Sequence, residues 1–226
     1  MSRKSELGSK LACFMILAVC GVAFGTAGLL AQTLGKIGPE AVFRPNPEVF
    51  RKYCEGGGDT IAAMRKLAAS PQALAFAQAN EDNYFLTKFI KFGPVDLGVC
   101  EADDYFVFAN PHGDYYFLVN GSPQIIAIQD IRYVRHLKLD DNNPWSKSNP
   151  SGMMSFKYTE FEKQVSRPGG GQRFIFKFPI YKGCHAGGIY GYVPVAYDFD
   201  TSGKFLGTKL LGPSGAGKAS RNRSTR

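Results

Sequence analysis

Two segments of this chain resemble motifs that bind nucleotides or calcium. Each of them lacks a residue that its motif requires. Residues 212–219 nearly match a phosphate-binding loop, but Ala219 stands where that loop needs a hydroxyl for Mg²⁺. Residues 198–209 begin like a calcium-binding loop, but Lys209 stands where that loop needs a bidentate glutamate. We therefore expect neither nucleotide nor calcium binding, and the start of the second segment is typical of a hairpin turn.

Cysteine and histidine give the chain one compact pair of metal-binding groups, Cys184 and His185. His112 and His136 could add imidazoles, but the spacings typical of structural zinc, zinc protease and covalent haem sites do not occur. There is also no G-x-S-x-G motif for a nucleophilic serine. The sequence predicts no enzyme activity, no cofactor and no metal, and it leaves a thiol or metal role for Cys184 and His185 as a minor alternative.

Three cysteines, Cys54, Cys100 and Cys184, lie outside the apolar N-terminal segment. In an oxidising compartment three thiols allow one disulfide and one free cysteine. We favour a disulfide between Cys54 and Cys100, which would tie a helix to the start of a sheet. The sequence leaves the other pairings open.

The N-terminal part of the chain contains a strongly apolar segment without charge, 11–31. A helix of about 21 residues spans roughly 31 Å, which matches the ~30 Å hydrocarbon core of a bilayer. Signal peptides have shorter apolar regions, so the length favours an uncleaved transmembrane anchor at 11–32. Cleavage after Ala27 or Ala31, or lipid attachment at Cys20, are the alternatives.

Positive charge is concentrated at the two ends of the chain. The net charge is +8, yet residues 37–203 carry 17 basic and 18 acidic side chains. A folded nucleic-acid-binding domain would carry a basic face, so we expect no nucleic acid partner. Residues 212–226 are expected to form a basic disordered tail. Lysine and arginine are more frequent before the apolar segment than after it, which indicates a cytoplasmic tail at 1–10 and a body outside the cytoplasm.

Helix signals come first in the body. Asn46, Asp59 and Ser70 are each placed to cap a helix, and proline follows the first and third of them. Apolar residues then recur at helical spacing after each cap. The third helix is expected to continue to Phe92, with a break near 80–83.

Strand signals follow the helices. The expected strands lie at 105–108, 115–119, within 124–136, at 173–178, 189–197 and 205–211, and 154–165 is ambiguous between strand and helix. The Asn-Gly pair at 120–121 between two apolar runs is a hairpin signal. Helices followed by hairpins predict an α+β domain at 47–211 with a mainly antiparallel sheet, joined to the anchor by a linker at 33–46.

Residues 64–82, 106–117 and 194–207 each resemble part of a known family. They are similar to the first helical stretch, the first hairpin and the closing hairpin of the extracytoplasmic Cache-type (PAS-like) sensing modules of bacterial receptors. The resemblance implies a PAS/Cache-like sheet with a small polar ligand against it, under the segment that joins the third strand to the next. The ligand-binding residues that this implies are Arg132, Tyr133, Arg135, His136, Asp140 and Trp145.

The resemblance also implies a function. The chain would be a membrane-anchored ligand-sensing or binding module of the bacterial inner membrane, with its body in the periplasm or outside the cell. No second apolar span follows the predicted domain, so we expect a signal to pass through a protein partner in the cell envelope. The alternative is a structural subunit of a bacterial envelope or secretion complex, because such subunits share the plan of a short inner tail, one span and one outer α+β domain.

Overall fold

The computed structural model describes residues 34–55, 58–80, 82–107, 112–137, 152–182 and 188–212. The chain divides into two units between Gly35 and Lys36, and the elements below belong to the second unit. No helix within the described residues is long and apolar enough to cross a membrane. The predicted anchor at 11–32 and the predicted tail from 213 onward lie outside the described residues.

Helices come first in the described part of the chain and strands dominate the rest. A 3-10 turn at Pro39–Ala41 precedes five helices: α1 Pro47–Cys54, α2 Thr60–Lys66, α3 Pro71–Ala79, α4 Ala102–Tyr105 and α5 Ile131–Val134. The strands are β1 Lys88–Ile90, β2 Asp96–Cys100, β3 Tyr115–Val119, β4 Ile125–Ala127, β5 Gly152–Met154, β6 Glu160–Ser166, β7 Gln172–Lys182, β8 Ile189–Phe199 and β9 Phe205–Leu210.

The three predicted helix starts are confirmed. The side chains of Asn46, Asp59 and Ser70 each accept a hydrogen bond from a backbone N–H in the first turn, at 2.9–3.1 Å. Such bonds satisfy donors that the first helical turn leaves without a partner. Proline begins α1 and α3, where its missing N–H costs nothing.

The third helix is shorter than predicted. It ends at Ala79 because the Asn80 side chain donates to carbonyls of the last helical turn and accepts from the backbone N–H of Tyr84. These bonds turn the chain out of the helix, and β1 follows. The break expected near 80–83 is therefore confirmed, and the expected continuation to Phe92 was wrong.

The strands form two antiparallel sheets. The first has the order β1-β2-β3-β4, and the second has the order β5-β7-β8-β9 with β6 also paired to β7. Strand β7 pairs with β6 along its first half and with β5 at its end. Strand β8 pairs with β7 along nearly its whole length. The α+β class and the antiparallel pairing are confirmed, although the strands divide into two sheets.

The strand predicted at 105–108 was wrong, and the strand predicted within 124–136 is confirmed as β4. Tyr105 ends the short helix α4 rather than starting a strand, and the partner of β3 is β2, which we had not predicted. Within 124–136 only β4 is extended, because Asp130 then caps α5 by accepting from the N–H of Arg132 at 2.8 Å. The ambiguous segment 154–165 contains the end of β5 and most of β6.

Side chains of the two sheets share one apolar core. Leu97, Leu118 and Ile126 of the first sheet belong to the same buried cluster as Phe176 and Val195 of the second. Neighbouring residues on a strand point to opposite faces. The alternate positions of β3 and β4 therefore point away from the second sheet, and they form the base of the site described next.

Candidate ligand-binding site

A cavity of about 390 Å³ lies on the face of the first sheet that points away from the second sheet. Tyr115 and Phe117 of β3 and Ile125 and Ala127 of β4 form its base. These positions share one face because Phe117 pairs with Ala127 across the two strands. The end of α3 and the chain after it, the start of α5 and the segment before β6 form the walls. Ligand cavities of small-molecule binding proteins have volumes of roughly 300–1,000 Å³, so this one suits a small ligand.

Aromatic rings of the cavity are each held by another ring behind them. Phe117 packs edge-on against Phe76 at 5.2 Å, and Tyr133 packs edge-on against Phe205 at 5.5 Å. Phe156 makes the same kind of contact with a phenylalanine of β7 at 5.9 Å. Edge-to-face pairs are favourable arrangements that fix ring orientation. The aromatic surface of the cavity is therefore built before any ligand enters.

Two amide side chains shape the cavity. Asn80 uses both ends of its amide in the turn after α3, where its Nδ2 also donates to the Tyr84 carbonyl at 2.8 Å. Gln129 accepts from the Tyr116 N–H at 3.3 Å and donates to the Asp114 carbonyl at 3.0 Å. Because both amides are already hydrogen-bonded to the backbone, their role is to hold the walls in position.

A chain of polar contacts joins two tyrosines and a histidine at the cavity. The rings of Tyr84 and Tyr115 lie 4.3 Å apart with a 32° tilt, and the Tyr115 hydroxyl lies 2.9 Å from His112 Nδ1. Burial, followed by the hydrogen bond to Tyr115, raises the pKa of Tyr84. The Tyr115 hydroxyl donates to His112 Nδ1 when the imidazole proton is on Nε2, and it accepts from Nδ1 in the other tautomer.

His112 is positioned through its backbone. The Asp103 carboxylate accepts from the N–H groups of His112 and Gly113 at 2.7 and 2.8 Å, and the His112 carbonyl accepts from Tyr158 at 2.8 Å. Gly113 has φ +76°, and a Cβ there would lie 3.2 Å from Tyr158, so the turn requires glycine. Burial and the charge of Lys157 lower the pKa of His112. The imidazole is therefore neutral at pH 7.

The charged groups of the cavity differ in their partners. Arg132 donates from Nε to Asp130 at 2.7 Å, and its terminal nitrogen lies 2.6 Å from the same carboxylate. Burial raises the pKa of Asp130, but the hydrogen bonds from Arg132 outweigh it, and the overall pKa is lowered. Lys157 has no ion pair with any described carboxylate. Asp82 also lines the cavity and is exposed to solvent.

The structure brings two of the six predicted ligand-binding residues to the cavity. Arg132 and Tyr133 line it from α5. Arg135 and His136 do not line it: they follow α5, and His136 Nε2 lies 3.2 Å from the carbonyl of Thr208 on β9. The other two predicted residues, at 140 and 145, lie outside the described residues.

Sequence analysis missed Tyr84, Tyr115 and Lys157, and it considered His112 only as a metal ligand. These four residues come from separate segments, so no short motif joins them. The sequence feature that could have indicated His112 is the Pro-His-Gly-Asp turn at 111–114, just before β3. No ligand was predicted at this turn.

Cys54 and Cys100 are both free thiols in the structure, so the predicted disulfide between them is not formed there. Cys100 is fully buried at the end of β2, and burial raises its pKa. Cys54 lies partly exposed at the end of α1, where burial and the Asp59 charge raise its pKa. Residues 184 and 185 lie outside the described ranges, within which no three metal-binding side chains cluster.

Comparisons with protein families, with curated proteins and with solved structures give no match for this chain.

Proposed function

We propose that this chain is a membrane-anchored module that binds a small ligand outside the cytoplasm and acts through a partner protein. One observation carries the proposal: the cavity lies against the sheet beside Arg132 and Tyr133. The resemblance to Cache-type modules implies a ligand against the sheet near the same two residues. A preformed concave site with aromatic walls and a few polar groups is typical of small-molecule binding.

The membrane anchor and the partner rest on the sequence. The apolar segment 11–32 is long enough to span a bilayer, and the charge around it favours a body outside the cytoplasm. In this proposal a partner protein senses the conformation of the body and so transmits the binding event. The cell envelope of a bacterium, with the anchor in the inner membrane, is the location we propose.

The ligand-binding part is tested on the full-length protein extracted gently from its own membrane. Native mass spectrometry should show the chain with a small bound molecule, and that molecule should be absent after the substitution Ala127→Phe. Ala127 lies at the base of the cavity, so a phenyl ring there fills the space that a ligand needs. Retention of the adduct by the Ala127→Phe variant would contradict the proposal.

Two arginines of one segment provide a matched control. Arg132 lines the cavity and Arg135 does not, although both are exposed and lie three residues apart. Arg132→Ala should weaken ligand binding, and Arg135→Ala should leave it unchanged. Equal effects of the two substitutions would show that binding occurs elsewhere on the protein.

A further inference from the structure

We infer that the ligand has a flat apolar body and one anionic group, and that the anionic group binds at Lys157 beside His112. This inference rests on the proposed function and names the chemical class of the ligand. Its basis is the distribution of charge and aromatic surface around the cavity.

Lys157 is the cation that the described part of the cavity leaves without a carboxylate partner. The guanidinium of Arg132 is committed to Asp130, which also accepts from the Arg132 backbone N–H at 2.8 Å. The charge of Lys157 reaches His112 strongly enough to disfavour the imidazolium. A cation in a partly buried site is stabilised by an anion, and a charge-assisted hydrogen bond is stronger than a neutral one.

Two acidic side chains line the cavity, Asp82 and Asp130. The carboxylate of Asp130 is already paired with the guanidinium of Arg132. Asp82 is exposed to solvent, so its charge is hydrated and needs no cationic ligand. The end of the cavity at Lys157 therefore favours an anion.

The body of the ligand follows from the walls. Phe117, Phe156 and Tyr133 are fixed by the rings behind them, and Ile125 and Ala127 complete an apolar base. A rigid aromatic surface is complementary to a flat apolar group and does not adapt to a bulky one. The volume of about 390 Å³ limits the ligand to one or two rings with short substituents.

Anion binding at this point should be coupled to protonation of His112. Among the described residues, the Tyr115 hydroxyl from β3 contacts the imidazole, and the charges of Lys157, from the segment before β6, and Asp103, from α4, act on it. A bound anion offsets the charge of Lys157 and so favours the imidazolium. Affinity should therefore increase as the pH falls from about 7.5 to about 5.5, a range in which a carboxylate ligand stays ionised.

The test uses three probes with the same body and different charge: 1-naphthoate, 1-naphthamide and 1-naphthylmethylamine. Isothermal titration calorimetry with the full-length protein should give 1-naphthoate an affinity about tenfold higher than that of the amide. The Lys157→Gln variant should lose about tenfold in affinity for the anion and keep its affinity for the amide. In the wild type, lower pH should tighten binding of the anion and leave the amide unaffected.

Several outcomes would overturn the inference. It is wrong if the amine binds best, if the amide binds as well as the anion, or if Lys157→Gln weakens all three probes equally. It is also wrong if none of the probes binds up to millimolar concentration. These failures are distinguishable from failure of the proposed function, because a native ligand displaced by Ala127→Phe would still establish the cavity as a binding site.

Discussion

The side chain of Asn120 joins Ile37 to the first sheet through three hydrogen bonds. Its Oδ1 accepts from the N–H of Ile37 at 2.7 Å, and its Nδ2 donates to the Ile37 carbonyl at 2.8 Å and to Asp96 Oδ2 at 2.9 Å. Asp96 is fully buried and Ile37 is 3% exposed, so water cannot easily replace these bonds. Asn120 itself has φ +69°, which asparagine tolerates better than alanine does. We predict that Asn120→Ala is among the most destabilising single substitutions near this turn.

The expected loss follows from the bonds. Two neutral hydrogen bonds to Ile37 contribute about 1 kcal/mol each, and the bond to the buried carboxylate of Asp96 contributes about 2 kcal/mol. Alanine in a left-handed backbone conformation costs about 1 kcal/mol more. Asn120→Ala should therefore lower the free energy of unfolding by about 4–5 kcal/mol, which is a large part of the ~5–15 kcal/mol that a domain has.

Asn83 provides the matched control. It also has a positive φ, +54°, and its backbone N–H donates to the Asn80 carbonyl, but its side-chain amide makes no hydrogen bond to a described residue. Asn83→Ala should cost only about 1 kcal/mol, the backbone term alone. Asn120→Gly relieves the backbone strain but does not restore the lost hydrogen bonds, so it should be about 1 kcal/mol more stable than Asn120→Ala. Urea unfolding of the full-length protein, followed by near-ultraviolet circular dichroism, measures all three. Equal losses for Asn120→Ala and Asn83→Ala would refute the reasoning.

Three further predictions concern the rest of the domain. Asp198 accepts two hydrogen bonds from Arg173 at 2.6 and 2.9 Å. The substitution Asp198→Asn should therefore lower the free energy of unfolding, measured in urea titrations, by about 2–3 kcal/mol. A loss below about 0.5 kcal/mol would contradict this prediction. Burial raises the pKa of Asp198, but the hydrogen bonds and charge of Arg173 lower that pKa overall. The stabilisation of the fold by the Asp198–Arg173 pair should therefore be present above about pH 4 and lost in acid. Urea unfolding at a series of pH values would measure this loss. Phe50 is fully buried among four other aromatic rings, and Phe50→Ala should cost about 3–5 kcal/mol, measured against the milder Phe50→Leu. A maleimide reagent should modify Cys54 much faster than the buried Cys100 under native conditions, and peptide mapping that finds equal rates, or a bond between the two, would oppose the structure.

The parts of the fold that were predicted correctly depend on contacts between residues close together in the sequence. The helix caps at Asn46, Asp59 and Ser70 need only a side chain and the N–H groups two or three residues later, so the sequence alone indicates them. The later hairpin of β8 and β9 was predictable for the same reason, since apolar alternation and a turn lie next to each other in sequence. Agreement is best where the deciding contacts are short-range.

Errors occurred where distant contacts override the local pattern. Residues 105–108 have strand-like composition, but β2 occupies the place beside β3, and Tyr105 packs into the aromatic cluster around Phe50. No single-residue pattern reports such competition between pairing partners. The end of α3 at Ala79 is an exception with a local cause, because the Asn80 side chain bonds only to groups three or four residues away and turns the chain out of the helix.

The cavity shows the same division. The resemblance to Cache-type modules implied Arg132 and Tyr133 as ligand-binding residues, and both lie at the cavity. The Tyr84–Tyr115–His112 chain could not be found, because its members meet only after α3 has ended and β3 has paired with β2. A ligand site built from several elements cannot be recognised from sequence patterns alone, because its residues come together only when the strands pair.

The proposed route from the cavity to a partner uses the same contacts that fix the linker. The end of α3 lines the cavity, and at its start the Ser70 hydroxyl donates to the Glu40 carbonyl at 2.5 Å. The Phe43 N–H donates to the Leu86 carbonyl at 2.8 Å, which ties the linker to the chain just before β1. A ligand that shifts α3 therefore moves residues 37–43, which follow the proposed anchor in sequence. If Asn120→Ala releases this segment while ligand binding persists, the partner should stop responding to the ligand, because the binding site would be intact and its connection to the linker lost.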